Sequence, residues 1–215
     1  MTWSMKNEIR KSIISRWLLA TFLGVILCPI ITDFASPSGP IRLNLVWVYG
    51  IFDALILGTS IGFMQWFIVK KYYANAWLWI LSTTGAWLIG TIVVVTLYIF
   101  LLWIVGSIQT SETPPVIFNL IQWFFFGTSA GLLQCLIMAK QINHAWLWII
   151  TSSIAWTFGG VMGVIIGRLM RPPGFGALIA YPVTGLVVGI TTGIVFYNIL
   201  PKDRRGQSTG SRITS

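Results

Sequence analysis

Charge is scarce in this sequence, and acidic charge scarcest: Asp and Glu number 5 of 215 residues, beside 14 Lys and Arg and a lone histidine. His144 has no second histidine near it, Cys28 and Cys135 make no CxxC pair, and no HExxH, P-loop or Ser/His/Asp set occurs. Metal coordination and hydrolysis both need clustered ligands or paired acid and base groups. The expectation is a non-enzymatic protein with no metal. Both cysteines fall in apolar runs and read as small buried residues, and no NxS/T sequon occurs.

What is abundant is apolar surface. Hydrophobic residues make up 56% and charged residues 9%, against about 25% charge in soluble domains, and the mean hydropathy is +0.82. Runs long enough to cross about 30 Å of hydrocarbon as helices, which satisfy their own backbone hydrogen bonds, predict an all-α membrane protein. Six transmembrane helices are expected at 17–33, 45–69, 76–106, 116–139, 145–167 and 175–199, the third long enough to tilt. The transmembrane domain is then 17–200.

Lys6, Arg10, Lys11 and Arg16 precede the first span, Lys70 and Lys71 follow the second, Lys140 the fourth, and Lys202, Arg204, Arg205 and Arg212 the sixth. Eleven of the 14 basic residues thus lie on one side, against Arg42, Arg168 and Arg171 on the other. The positive-inside bias places both termini in the cytoplasm. This distribution explains the net charge of +9 by topology, not by nucleic acid. Residues 1–16 read as a basic amphipathic segment, and over 3–17 Trp3, Ile9, Ile13 and Trp17 suit a short helix on the membrane surface. Residues 201–215 read as a disordered basic tail. The FASP sequence around Ala35 is a poor cleavage site because proline follows Ser36, so the first span is expected to be retained.

The chain repeats itself. A slide of 69 residues lays Gly58–Gly90 on Gly127–Gly159 without a gap, with 15 of 33 positions identical. Two units, about 45–106 and 116–167, each comprise a helix, an inner loop and a returning helix. A third, split unit is expected from 175–200 with 17–33: a slide of 131 puts Gly189, Gly193 and Lys202 on Gly58, Gly62 and Lys71, while Trp17 and Leu18 follow Lys11 as Trp77 and Leu78 follow Lys71. All units share one orientation, so these are parallel repeats. Within each first helix, Gly58/Gly62, Gly127/Gly131 and Gly189/Gly193 remove side chains from one face and let backbones approach. That face serves packing within the chain, with homo-oligomerisation as the alternative.

Among the tryptophans, Trp77, Trp79, Trp146 and Trp148 begin their spans as interfacial anchors, and Trp47 and Trp103 lie near the outer ends. Trp87 and Trp156 fall near mid-membrane, where each indole N–H needs a partner; inward packing against hydroxyl-rich helices is expected, with a pigment or lipid contact as the other reading. Asp53 is the one carboxylate well inside a span. Under the two slides its counterparts are Gln122 and Thr184, a polar layer that lines a site or makes three helix contacts. Arg168 is placed to pair with Asp53. Gln65 and Gln134 sit one turn from the inner loops and are expected to tie them together.

The module of Gly58, Gly62 and Gln65, a basic loop and an Ala-Trp helix start resembles small multi-pass membrane proteins known mainly from cyanobacteria. The resemblance covers 58–90 and 127–160, implies a bacterial plasma or thylakoid membrane, and brings no activity with it; the third unit departs from it with Phe196 in place of Gln. Two functions follow as expectations. One is a membrane scaffold or accessory protein binding a partner complex, lipid or pigment. The other is a small-solute or proton transporter using Asp53, Gln122 and Thr184. Scarcity of polar lining favours the first.

Overall fold

The computed structural model describes residues 3–35, 46–105, 116–139, 141–169 and 175–200. They form six helices: α1 (Trp3–Ala35), α2 (Val46–Val69), α3 (Trp77–Val105), α4 (Val116–Met138), α5 (Trp146–Leu169) and α6 (Phe175–Ile199). Each contains a span of 20 to 24 residues apolar enough to cross a bilayer. The chain is a multi-pass integral membrane protein. Leu19, Phe63, Ile92, Leu136 and Ile154 are among the large apolar side chains on its outer surface, where lipid replaces water as the favoured neighbour.

Each helix packs on its neighbours in sequence, and α6 returns to α1, so the six close into a ring. The glycines show how. A Cβ on Gly58 would sit 2.7 Å from the Thr84 Cα, and one on Gly127 would sit 2.9 Å from the Ser153 Cα. Gly62 and Gly131 face Ile80 and Ile149 in the same way. The glycine face of each first helix is therefore spent on the second helix of its own hairpin, α2 on α3 and α4 on α5. Hydroxyl pairs seal the same seams, Thr59 with Thr84 at 3.1 Å and Thr128 with Ser153 at 2.8 Å.

The pair α6 and α1 is the third hairpin, but its register differs from the expectation by one helical turn. Gly185 faces Phe22 and Gly189 faces Leu18, so these two glycines, not Gly189 and Gly193, occupy the places of Gly58 and Gly62. The slides that fit the structure are 127 for α6 and 62 for α1. Turn bonds agree: the amides of Tyr73, Ile142 and Leu200 donate to the carbonyls of Val69, Met138 and Phe196. The sequence of α6 reads GLVVGITT from Gly185, and the neighbouring GITTG from Gly189 resembles GTSIG only because Thr residues recur there.

Two further expectations change. Residues 3–16 are not a separate surface helix but the first turns of α1, which runs unbroken from Trp3 to Ala35. Ile9 and Ile13 are buried in the same apolar cluster as Tyr73, Ile142 and Leu200, at the end of the ring where the hairpins turn. Trp79 and Trp148 are not interfacial anchors: both are buried, while Trp77 and Trp146 remain exposed. A helix places residues two apart on different faces, so one indole of each WLW goes outward and the other to the axis.

Candidate functional site

Trp17, Trp79 and Trp148, brought by α1, α3 and α5, meet on the axis with ring centroids 5.6 to 6.0 Å apart. Each indole N–H has an acceptor on the other helix of its hairpin: Thr192 Oγ1 at 2.9 Å, Gln65 Oε1 at 2.9 Å and Gln134 Oε1 at 2.7 Å. Below them Val69, Met138 and Phe196 are fully buried, and Phe196 stacks on Trp17 at 4.2 Å. Beside this plug, burial raises the pKa of the Tyr72 phenol, against the opposing pull of Arg16.

The glutamines do not tie the inner loops together. Gln65 Nε2 donates to Thr21 Oγ1 of α1 at 3.0 Å, and Gln134 Nε2 to Thr83 Oγ1 of α3 at 2.9 Å. Each amide accepts within its unit and donates to the preceding unit. A hydroxyl can accept Trp17 but is too short to make the third such bridge, from Thr192 to α5. There, small residues take over: Gly159 and Gly163 lie against the α6 backbone, and Thr184 Oγ1 donates to the Gly159 carbonyl at 3.1 Å. Above the amides, Ile61, Ala130 and Val188 surround a void of about 10 Å³, the size of a single water.

Trp87 and Trp156 close this void from above. They pack inward as expected, but on rings instead of hydroxyls: Trp87 meets Trp156 edge-on at 5.0 Å and Phe126 at 4.6 Å, and Trp156 stacks with Trp123. Val25 holds the equivalent place in the third unit. The Trp87 indole N–H is buried with no hydrogen-bond partner among the described residues, which costs about 1–3 kcal/mol if nothing occupies the space beside it.

Beyond Trp87 lies a cavity of about 460 Å³, at the opposite end of the ring from the hairpin turns. It lies where the units differ at two paired positions. In the second unit Trp123 packs on Gly160; in the first, their counterparts are Ala54 and Thr91, and both line the cavity. An alanine where its repeat has tryptophan leaves a ring-sized space. Asp53 and Gln122 also line it, together with Tyr98, Phe118 and Tyr181. Cys28 stands at its edge, its thiol 3.9 Å from the Asp53 carbonyl oxygen.

The expected polar layer is thus two residues, not three. Thr184 is buried and hydrogen-bonded to the carbonyls of Gly159 and Ala180. With the register corrected by one turn, the counterpart of Asp53 and Gln122 is Ala180, and Thr184 matches Leu57 and Phe126 one turn deeper. Nor do Asp53 and Arg168 pair. The sole ion pair among the described residues is Lys11 with Glu8; Arg168 lies in the last turn of α5, which packs chiefly on α4 and α6. Trp47, close to the start of α2, has a side chain outside the described ones.

The residues that sequence reasoning missed are Ala54, Thr91 and Tyr181. An Ala opposite a Trp in a duplicated chain is a readable signal of a cavity. Tyr181 was hidden by the register of α6. No family model, curated protein or solved structure matches this chain.

Proposed function

We propose that this protein is a non-enzymatic membrane accessory protein that holds a lipid- or pigment-like molecule in the cavity of the first unit. The observation that carries this reading is the unpartnered indole N–H of Trp87 beside a space of about 460 Å³. Pockets of some 300–1,000 Å³, mostly apolar with a few placed polar groups, are the usual form of small-molecule sites. A buried donor without a partner is costly, and a ligand acceptor offsets that cost. Transport is the weaker reading. Conduction needs a wet or polar route, and beneath the cavity stand the Trp87 and Trp156 rings, a void of about 10 Å³ and the plug of Trp17, Trp79 and Trp148. The membrane is a bacterial plasma or thylakoid membrane, with both termini cytoplasmic and the cavity on the outer side.

The test copies the second unit into the first. Ala54→Trp with Thr91→Gly restores the Trp123–Gly160 pair at the cavity and fills it. Purification in mild detergent, followed by solvent extraction and mass spectrometry, should recover one small molecule per chain from the natural sequence and none from the filled variant. Equal recovery from both, or a bare natural protein, refutes the reading.

A further inference from the structure

Resting on the cavity reading above, we infer that the ligand is an organic cation of the quaternary-ammonium type, bound in an aromatic cage with Asp53 as its counter-ion. Among the described residues, Asp53 is the only charged side chain lining the cavity, with no Lys or Arg beside it. No hydrogen bond or ion pair to its carboxylate occurs among the described residues, and the side chain is exposed at the cavity, where a cation can reach it. Around the same space stand Trp87, Tyr98, Phe118, Trp123, Phe126 and Tyr181. Ring faces attract cations that hold their hydration weakly, and a trialkylammonium surrounded by aromatic side chains is the known form of such recognition. A carboxylate and six rings together select positive charge on an apolar body, whereas an anion would meet Asp53 and a neutral molecule would leave it unpaired.

The depth of the two polar groups adds a second constraint. Trp87 lies against Gly58, its Cδ1 3.1 Å from where a Cβ would stand. Gly58 is five residues from Asp53 on α2, about 7.5 Å along the axis. The ligand therefore carries a hydrogen-bond acceptor, an ester or ether oxygen, on the deep side of its cationic group. A choline ester has that form. Both a phosphatidylcholine headgroup and a free choline-like ester supply it.

Benzoylcholine and its uncharged carbon analogue, 3,3-dimethylbutyl benzoate, differ only in the charged atom. Each is titrated into the purified full-length protein in maltoside detergent, with tryptophan emission as the readout. The natural protein should bind benzoylcholine at least about tenfold more tightly than the analogue, the size of a desolvated cation–π contact of about 1.4 kcal/mol. Asp53→Asn should reduce that preference to what the rings alone supply, and Asp53→Glu retain it. Trp87→Phe should weaken both esters alike.

Equal binding of the two esters by the natural protein overturns the cation assignment while leaving a cavity ligand in place. Binding of neither, with nothing recovered on extraction, sinks both readings. Repeating the titration in phosphatidylglycerol nanodiscs, with and without phosphatidylcholine, separates the sources. Competition by phosphatidylcholine assigns the site to a lipid headgroup, and unchanged affinity assigns it to a free organic cation.

Discussion

Gln134→Leu, read with and without Trp148→Phe, tests the hydrogen bonds that join the three hairpins. Gln134 accepts the Trp148 indole at 2.7 Å and donates to Thr83 at 2.9 Å, with all three side chains buried. Leucine fills much of the same volume but leaves the indole N–H without a partner. An orphaned buried donor costs about 1–3 kcal/mol, whereas coupling measured between hydrogen-bonded side chains inside membranes averages about 0.6 and reaches about 1.7 kcal/mol. The loss at Thr83 is small, since its hydroxyl still donates to the Trp79 carbonyl at 2.7 Å. A destabilisation of about 1–2 kcal/mol is therefore expected from Gln134→Leu alone. On the Trp148→Phe background no donor remains to be orphaned, and the same change should cost about 1 kcal/mol less. Gln134→Thr should fall between, because Thr192 shows that a hydroxyl at this position accepts an indole at 2.9 Å. Reversible unfolding in mixed micelles with increasing dodecyl sulfate measures the natural protein and all four variants. If Gln134→Leu costs the same beside Trp148 and beside Phe, the bond does not join the units and the reasoning is wrong.

Other substitutions test the seams and the cavity. Gly127→Ala would press a methyl to 2.6 Å from the Ser152 carbonyl oxygen, against backbone that cannot rotate away, so a loss of about 1–3 kcal/mol is expected. At Gly85 the nearest atom to a new Cβ is the end of Leu133 at 3.6 Å, and Gly85→Ala should be neutral or slightly stabilising in the same unfolding assay. Trp87→Phe in ligand-free protein removes an unsatisfied donor along with part of a buried ring. These effects oppose each other, so its midpoint should stay within about 1 kcal/mol of the natural protein. Trp79→Phe, which forfeits a made bond to Gln65, should cost more.

The six spans and the first two units were legible because length, apolarity and a gapless duplication all survive in the residues themselves. Third-unit register was not. Two glycine pairs four residues apart run in succession through Gly185, Gly189 and Gly193, and either pair satisfies a packing face; the contacts of Gly185 and Gly189 with α1 and the indole of Trp17, held by Thr192, decide between them. The same ambiguity misplaced Thr184 beside Asp53. It also hid the fact that Thr192, not Phe196, stands where the other units carry glutamine. Trp79 and Trp148 were misread for a different reason: an indole near a span's end suits the interface as well as the core, and only the ring closure sends one face to the axis.

Threefold repetition makes the functional end of this molecule visible by contrast. In the hairpin half, replacements keep the same job: Thr192 for glutamine still accepts an indole, and Val69, Met138 and Phe196 fill one layer with three different shapes. In the other half, equivalent positions hold Ala54, Trp123 and Tyr181, and then Asp53, Gln122 and Ala180, which neither pack alike nor bond alike. A fold that needed only to close would tolerate three tryptophans or three alanines there. The loss of one indole opens a cavity, and the sole carboxylate of the described spans outside α1 lies at that cavity in the same unit. Those two departures from symmetry fall together, so the first unit is where a ligand's contribution to stability should appear: a bound molecule should raise the unfolding midpoint of the natural protein and leave that of Ala54→Trp with Thr91→Gly unchanged.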